Sequence, residues 1–134
     1  MTQTIYINLP VENVAHSRGF YTGLGFAINE HFSNDQAVSV VIAENILVML
    51  LEKPFFASFT DKPLADARST TEVLNCLGCE SRDRVDQLVR LAVQHGGKAH
   101  REPKDYGAMY GHGFEDPDGH IWEVVHMAAA ADEP

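Results

Sequence analysis

A phenol, an imidazole and a carboxylate stand near the end of the chain at a spacing a β-hairpin can gather. They are Tyr110, His112 and Glu123, and the turn-forming run Asp116-Pro117-Asp118-Gly119 lies between them. If the chain reverses symmetrically about Pro117-Asp118, Phe114 meets Ile121, His112 meets Glu123 and Tyr110 meets Val125, and residues opposed across a ladder share a face. Trp122 and Val124 have the other parity and suit the face packed under helices. Tyr110, His112 and Glu123 are then expected on a concave face, an assignment that one bulge in either strand would reverse. So placed, Glu123 is open to two interpretations. It is a ligand-binding or general-base carboxylate oriented by His112, able to work near neutral pH, or half of a hydrogen-bonded pair that satisfies two polar groups in a partly buried sheet.

Other side chains fill in the expected surroundings. Tyr6 and Asn8 alternate with Ile5, Ile7 and Leu9 and fit either substrate contacts or plain wall positions, while Leu47, Met49, Leu74 and Cys76 would make the rest of a pocket apolar. Cys76 and Cys79 lie three apart in a strand-like segment, so their side chains diverge; they are expected to be buried thiols without a disulfide. His16, His31, His95 and His100 are expected at the surface. His120 and His126 should point away from Glu123. Gly111 and Gly113 sit inside a strand with no helix after them, which excludes a phosphate-binding loop.

The elements that must position these residues form a repeated order. Alternation from Ile5 to Pro10 predicts a strand, and the stretch from about Glu12 to Leu24, closed by Gly25, predicts a helix. Apolar segments near Phe26–Phe32, Ala37–Ala43 and Ile46–Leu51 predict a three-strand meander. The order begins again at Glu72. A strand to about Cys79 precedes a helix capped by Ser81, with Val85, Leu88, Val89 and Ala92 on one stripe, and then come segments near Lys98–Arg101, Ala108–Glu115 and His120–Met127. Corresponding positions pair Tyr6 with Leu74, Gly25 with Gly96 and Met49 with Glu123. The expectation is one α+β domain over residues 1–134: two βαβββ units, about 3–52 and 72–127, with curved mixed sheets forming a cup and helices outside. Residues 53–71, with Phe55, Phe56 and Phe59, read as a linker or a lid, and 128–134 as a frayed tail.

Composition bounds the partners. The chain has 134 residues, 45% of them hydrophobic, which allows a real core and one domain. No apolar run approaches the roughly 18 residues that span a bilayer, and no signal segment is apparent, so a cytoplasmic protein without a membrane partner is expected. Ten basic against 19 acidic residues give a formal charge of −9, which disfavours nucleic acid. Uncovered strand edges give a motive for pairing as a homodimer.

Two stretches carry a family resemblance. Asn8-Leu9-Pro10-Val11-Glu12-Asn13-Val14, running through Ser17, Phe20-Tyr21 and Leu24-Gly25-Phe26, resembles the opening unit of the vicinal oxygen chelate superfamily. Asp116-Pro117-Asp118-Gly119-His120-Ile121-Trp122-Glu123 resembles its closing hairpin. The superfamily includes glyoxalase I, extradiol dioxygenases and fosfomycin- and bleomycin-resistance proteins, and the likeness leans to the branch related to lactoylglutathione lyase. It implies a four-ligand divalent metal at positions near Tyr6, Met49, Leu74 and Glu123, where only Glu123 is a good donor. Three functions follow as expectations. One is a metal-poor protein binding a small organic molecule in the cup, with Glu123 and His112 as acid and base if it turns over. The second is a metal-dependent lyase or dioxygenase with a rearranged set of Glu123, His112 and Glu72 on Zn, Ni, Mn or Fe. The third is an antibiotic-sequestering protein that holds a cationic drug.

Overall fold

The structure is a computed structural model that describes residues 2–128, so the tail expected over 128–134 lies, beyond Ala128, outside the described residues. The chain divides into two compact units, the first ending at Asp66 and the second beginning at Ala67. Each is a mixed α+β unit, one with a sheet of four strands and the other with a sheet of five. No helix among the described residues is long and apolar enough to cross a membrane.

In the first unit, β1 (Ile5–Val11) leads into α1 (Val14–Gly23), followed by β2 (Ala27–Asn29), β3 (Ala37–Ala43) and β4 (Ile46–Glu52). The sheet order is β1-β4-β3-β2, with β1 parallel to β4 and the other pairs antiparallel. The helix starts where the Asn13 side chain accepts a hydrogen bond from the His16 N–H at 3.0 Å, and a Glu52 carboxylate oxygen accepts a second freed N–H, that of Val14, at 3.1 Å. It stops before Gly25, whose φ of 102° few other residues adopt. Val14, Phe20, Tyr21 and Leu24 are buried, as are Leu9, Val11, Val38, Val40, Val48 and Leu50 of the sheet that α1 packs on. Residues 53–57, expected as linker or lid, instead begin as a short helix, α2 (Lys53–Ala57). Pro54 suits its first turn, and α2 packs on β1 and β4. The Phe55 and Phe59 rings meet edge to face at 5.2 Å.

The second unit repeats the order with β5 (Asn75–Gly78), α3 (Arg82–Gln94), β6 (Lys98–Ala99), β7 (Lys104–Asp105), β8 (Met109–Glu115) and β9 (Ile121–Met127). Its sheet runs β5-β9-β8-β6, with β7 also paired to β8 and β5 parallel to β9. Ser81 caps α3 by accepting from the Arg84 N–H at 3.0 Å, and the predicted stripe of Val85, Leu88, Val89 and Ala92 is buried against β8 and β9. Three boundaries differ from expectation. In the first unit the strand expected near Phe26–Phe32 ends at Asn29, with Glu30–Phe32 forming a short 3-10 helix. β5 begins at Asn75 rather than Glu72, and the strand expected to Arg101 stops at Ala99 and resumes as β7. The break coincides with Arg101, whose φ of 64° cannot continue an extended ladder.

Candidate functional site

The closing hairpin sets which side chains share a face, and its loop holds three residues rather than two. The Asp116 N–H donates to the His120 carbonyl at 2.9 Å and the Gly119 N–H to the Asp116 carbonyl at 3.0 Å, while Asp116 Oδ1 accepts from the N–H groups of Asp118 and His120. Gly119 takes a φ of 94°. A turn followed by a left-handed glycine is the usual way to close a three-residue hairpin loop. The odd count moves the ladder by one: Gly113 lies opposite Glu123, His112 opposite Val124 and Tyr110 opposite His126. The expected pairing of His112 with Glu123, and of Tyr110 with Val125, is therefore corrected.

The correction moves both residues off the face of Glu123. Tyr110 reaches the helix side, where its hydroxyl donates to Asp86 Oδ1 at 2.5 Å and its ring lies 5.1 Å from the Arg82 guanidinium carbon. The Asp86 carboxylate raises the Tyr110 phenol above its ordinary range by holding the protonated form in that bond. His112 Nε2 sits 3.0 Å from the Arg101 carbonyl, and the residue borders the cavity described below without standing in line with Glu123. Trp122 and Val124 are buried on the helix side, as their parity predicts.

A different imidazole takes the expected place. β6 pairs Lys98 with Glu115 and Ala99 with Phe114, and the His100 N–H continues the ladder onto the Gly113 carbonyl at 2.8 Å. On the other side of Glu123, β5 brings Cys76 into register. His100, Gly113, Glu123 and Cys76 thus form one row across four strands on one face of the sheet. Gly113 is the gap in that row. A Cβ there would lie 2.7 Å from Glu123 Oε2, 3.0 Å from the Trp122 carbonyl oxygen and 3.5 Å from the His100 Cβ, so the Glu123 carboxylate folds over bare backbone.

A cavity of about 430 Å³ stands over this face. Cys76, Gly111, Glu123 and Val125 form its floor with Met109 beside them, and His100, Arg101, Glu102, Lys104 and Tyr106 form a wall. Such a volume suits a small organic molecule. Its lining combines Glu123 and the imidazoles of His100 and His112 with the apolar side chains of Met109 and Val125. Partial desolvation of the sulfur on the cavity floor, and after it the charge of Glu123, pushes the Cys76 thiol up, which keeps it protonated and weakly nucleophilic near neutral pH. Cys76 is exposed and Cys79 half-buried, both free, which corrects the expectation of two buried thiols. Cys76 is exposed because β5 is an edge strand four residues long.

The first unit carries the equivalent register with different chemistry. Asn8 pairs with Met49, Met49 with Ser39 and Ser39 with Asn29, and Tyr6 pairs with Leu47. Tyr6 and Asn8 are exposed, Leu47 and Met49 half-buried, and Leu74 is exposed just ahead of β5. Four hard donors for a divalent cation do not come from this set. Met49 offers a thioether where the second unit has Glu123, Leu74 offers nothing, and Tyr6 and Asn8 offer a phenol and an amide. Among the described residues no three of His, Cys, Asp and Glu come together as a metal-holding group, so the rearranged set of Glu123, His112 and Glu72 is not assembled.

Sequence reasoning missed His100, Arg101, Lys104, Tyr106, Gly111 of the floor and Gly113 beneath Glu123. The glycines were the available signal, since glycine inside a strand marks close approach of another group. The wall had none, because it forms where the strand breaks.

A model of the Glyoxalase/Bleomycin resistance protein/Dioxygenase superfamily matches residues 4–124. No curated protein matches the chain. Among solved structures, hypothetical protein SA1046 from S. aureus is 32% identical with a TM-score of 0.80, covering 94% of this chain and 95% of its own. A glyoxalase-related enzyme from Fulvimarina pelagi is 20% identical with a TM-score of 0.79, covering 94% and 88%. The bleomycin resistance determinant encoded on transposon Tn5 is 17% identical with a TM-score of 0.66, covering 96% and 100%. The last two are similar in fold alone.

Proposed function

The chain belongs to the glyoxalase/bleomycin resistance protein/dioxygenase superfamily, and we propose that it binds a small, partly apolar organic molecule in the cavity over its second sheet, with Glu123 as the group that acts on it. The observation that carries this is the bare backbone at Gly113. It leaves the Glu123 carboxylate unobstructed at the cavity floor, between an imidazole row-mate and a thiol. A carboxylate there can accept a hydrogen bond from a ligand or take a proton from it, and His100, whose Nδ1 stands 3.8 Å from Glu115 Oε2, lines the same cavity. His112, bound to the Arg101 carbonyl, shapes the wall. Leu74 and the first-unit residues Tyr6, Asn8, Leu47 and Met49 do not line this cavity, and Tyr110 hydrogen-bonds Asp86 of α3 instead. The residues do not fit the superfamily's four-ligand metal, since Met49 and Leu74 offer no hard donor.

Native mass spectrometry after incubation with a small-molecule extract tests the proposal. A bound molecule in the wild type that is lost in Gly111→Leu, which fills the floor, supports the cavity; the same adduct in both overturns it. Glu123→Gln separates two roles. Retained adduct with loss of its conversion marks a base, and equal loss of both marks an anchor. The proposal extends to a cytoplasmic homodimer, supported by exposed Ile5, Tyr6, Val73 and Leu74 at or beside the edge strands β1 and β5. Light scattering of the purified protein tests the dimer, and cell fractionation tests the location.

A further inference from the structure

The outer wall of the cavity, residues 100–108, is poorly held by its own backbone. β6 and β7 are two residues each, residues 101–108 are all exposed, and Arg101 adopts the left-handed conformation that strains a non-glycine residue. A segment with so few buried contacts opens at low free energy. Yet Lys104 and Tyr106 border the cavity from this wall, so something must keep it in place.

On the helix side one side chain gathers it. The two terminal nitrogens of Arg82 donate to the two carboxylate oxygens of Asp105 at 2.6 and 2.9 Å, and one of them donates also to the Gly107 carbonyl at 3.0 Å. The Gly107 N–H closes the arrangement on Asp105 at 2.9 Å, and the guanidinium lies over the Tyr110 ring. Arg82 is the first residue of α3, where the unpaired N–H groups disfavour a cation. Its placement breaks a local rule, so its reason lies in contacts outside the helix. Alternation supplies that reason: Asp105 pairs with Tyr110 on the helix side, while Lys104 pairs with Gly111 of the cavity floor. Gripping Asp105 and Gly107 from one side fixes Lys104 and Tyr106 on the other.

We propose that Arg82 is a positioning residue for the cavity, a fork outside it that holds the wall segment Lys104–Gly107 against the ligand space. Its bearing on function rests on the cavity being a ligand site, but its physical test does not. Hydrogen exchange followed by mass spectrometry should show amides of residues 104–108 exchanging about tenfold faster in Arg82→Ala. Arg82→Lys should lose nearly as much, because an ammonium keeps the charge and lacks the fork. Amides of Val14–Gly23 should be unchanged in both. The His112 ring signals should shift as its bond to Arg101, in the same wall but away from Arg82, loosens. Unchanged exchange at 104–108, or equal acceleration in α1, overturns the proposal. If Arg82→Ala fails to fold, Arg82→Lys and Asp105→Asn carry the same test. A wall that stays shut while Gly111→Leu abolishes the adduct leaves the ligand site standing and removes the fork. A wall that loosens with no adduct in any variant does the reverse.

Discussion

Replacing Gly113 by alanine adds one methyl group at the point where the candidate site has no room for it. That carbon would stand 2.7 Å from Glu123 Oε2 and 3.0 Å from the Trp122 carbonyl oxygen. The first clash can be relieved by swinging the carboxylate away. The second involves the backbone of a central strand whose side chain, Trp122, is only 1% exposed, and it can give by only a few tenths of an ångström. Overpacking of this kind destabilises by about 1–3 kcal/mol. Alanine recovers about 0.4–1 kcal/mol by restricting the unfolded chain. The net expectation is a loss of roughly 1–2 kcal/mol, which for a chain of this size lowers Tm by about 3–8 °C. A double-mutant cycle divides the two contacts. In a Glu123→Ala background the carboxylate clash is gone, so Gly113→Ala should cost less by about 0.5–1 kcal/mol. Urea denaturation of the four proteins measures both quantities. A Gly113→Ala protein as stable as the wild type, or a coupling of zero with Glu123, would refute the inference that the carboxylate lies over Gly113.

Three further outcomes can be checked. Gly119→Ala should destabilise by about 3 kcal/mol, because it meets both a φ of 94° and the Ala67 carbonyl oxygen at 2.8 Å, whereas Gly25→Ala, at φ 102° with nothing within 4 Å, should cost about 1 kcal/mol in the same thermal melts. The hydrogen bonds from Arg82, then that from Gly107, hold the Asp105 carboxyl down at about 2; the stabilisation this gives is complete above about pH 5, where an unfolded Asp is already ionised, and is lost as pH falls from there through about 2. Carbon-13 titration of Asp105 should return toward about 3.9 in Arg82→Ala, and a value still near 2 would show that Arg82 is not the cause. In a Cys79→Ser background, Glu123→Gln should speed Cys76 alkylation at pH 8, since it removes the charge that helps raise the thiol; an unchanged rate would separate the two side chains.

Much of the site depended on one property that residue types do not carry. Glu123 was legible as a carboxylate on the concave face, where it lines the cavity, and the Met49 and Leu74 positions were legible as unfit for a metal, because donor chemistry belongs to the residue itself. A symmetric reversal about Pro117-Asp118 puts His112 opposite Glu123, and Gly119 at φ 94° makes the loop one residue longer, which puts Gly113 there instead. A shift of one residue turns every side chain of β8 to the other face relative to β9. Strict alternation also hid the break between β6 and β7, which supplies the cavity wall.

The sequence by itself determined the element order, the doubled βαβββ unit, the stripe of α3 and the helix-side parity of Trp122 and Val124. All of these rest on local periodicity and on caps such as Ser81 and Asn13 that act within a few residues. The tertiary structure alone decided that His100, Gly113, Glu123 and Cys76 form one row, and that Arg82 reaches through Asp105 to the wall. Those relations join strands and a helix far apart in the chain, and ladder registers and loop closure, which no local pattern encodes, set them.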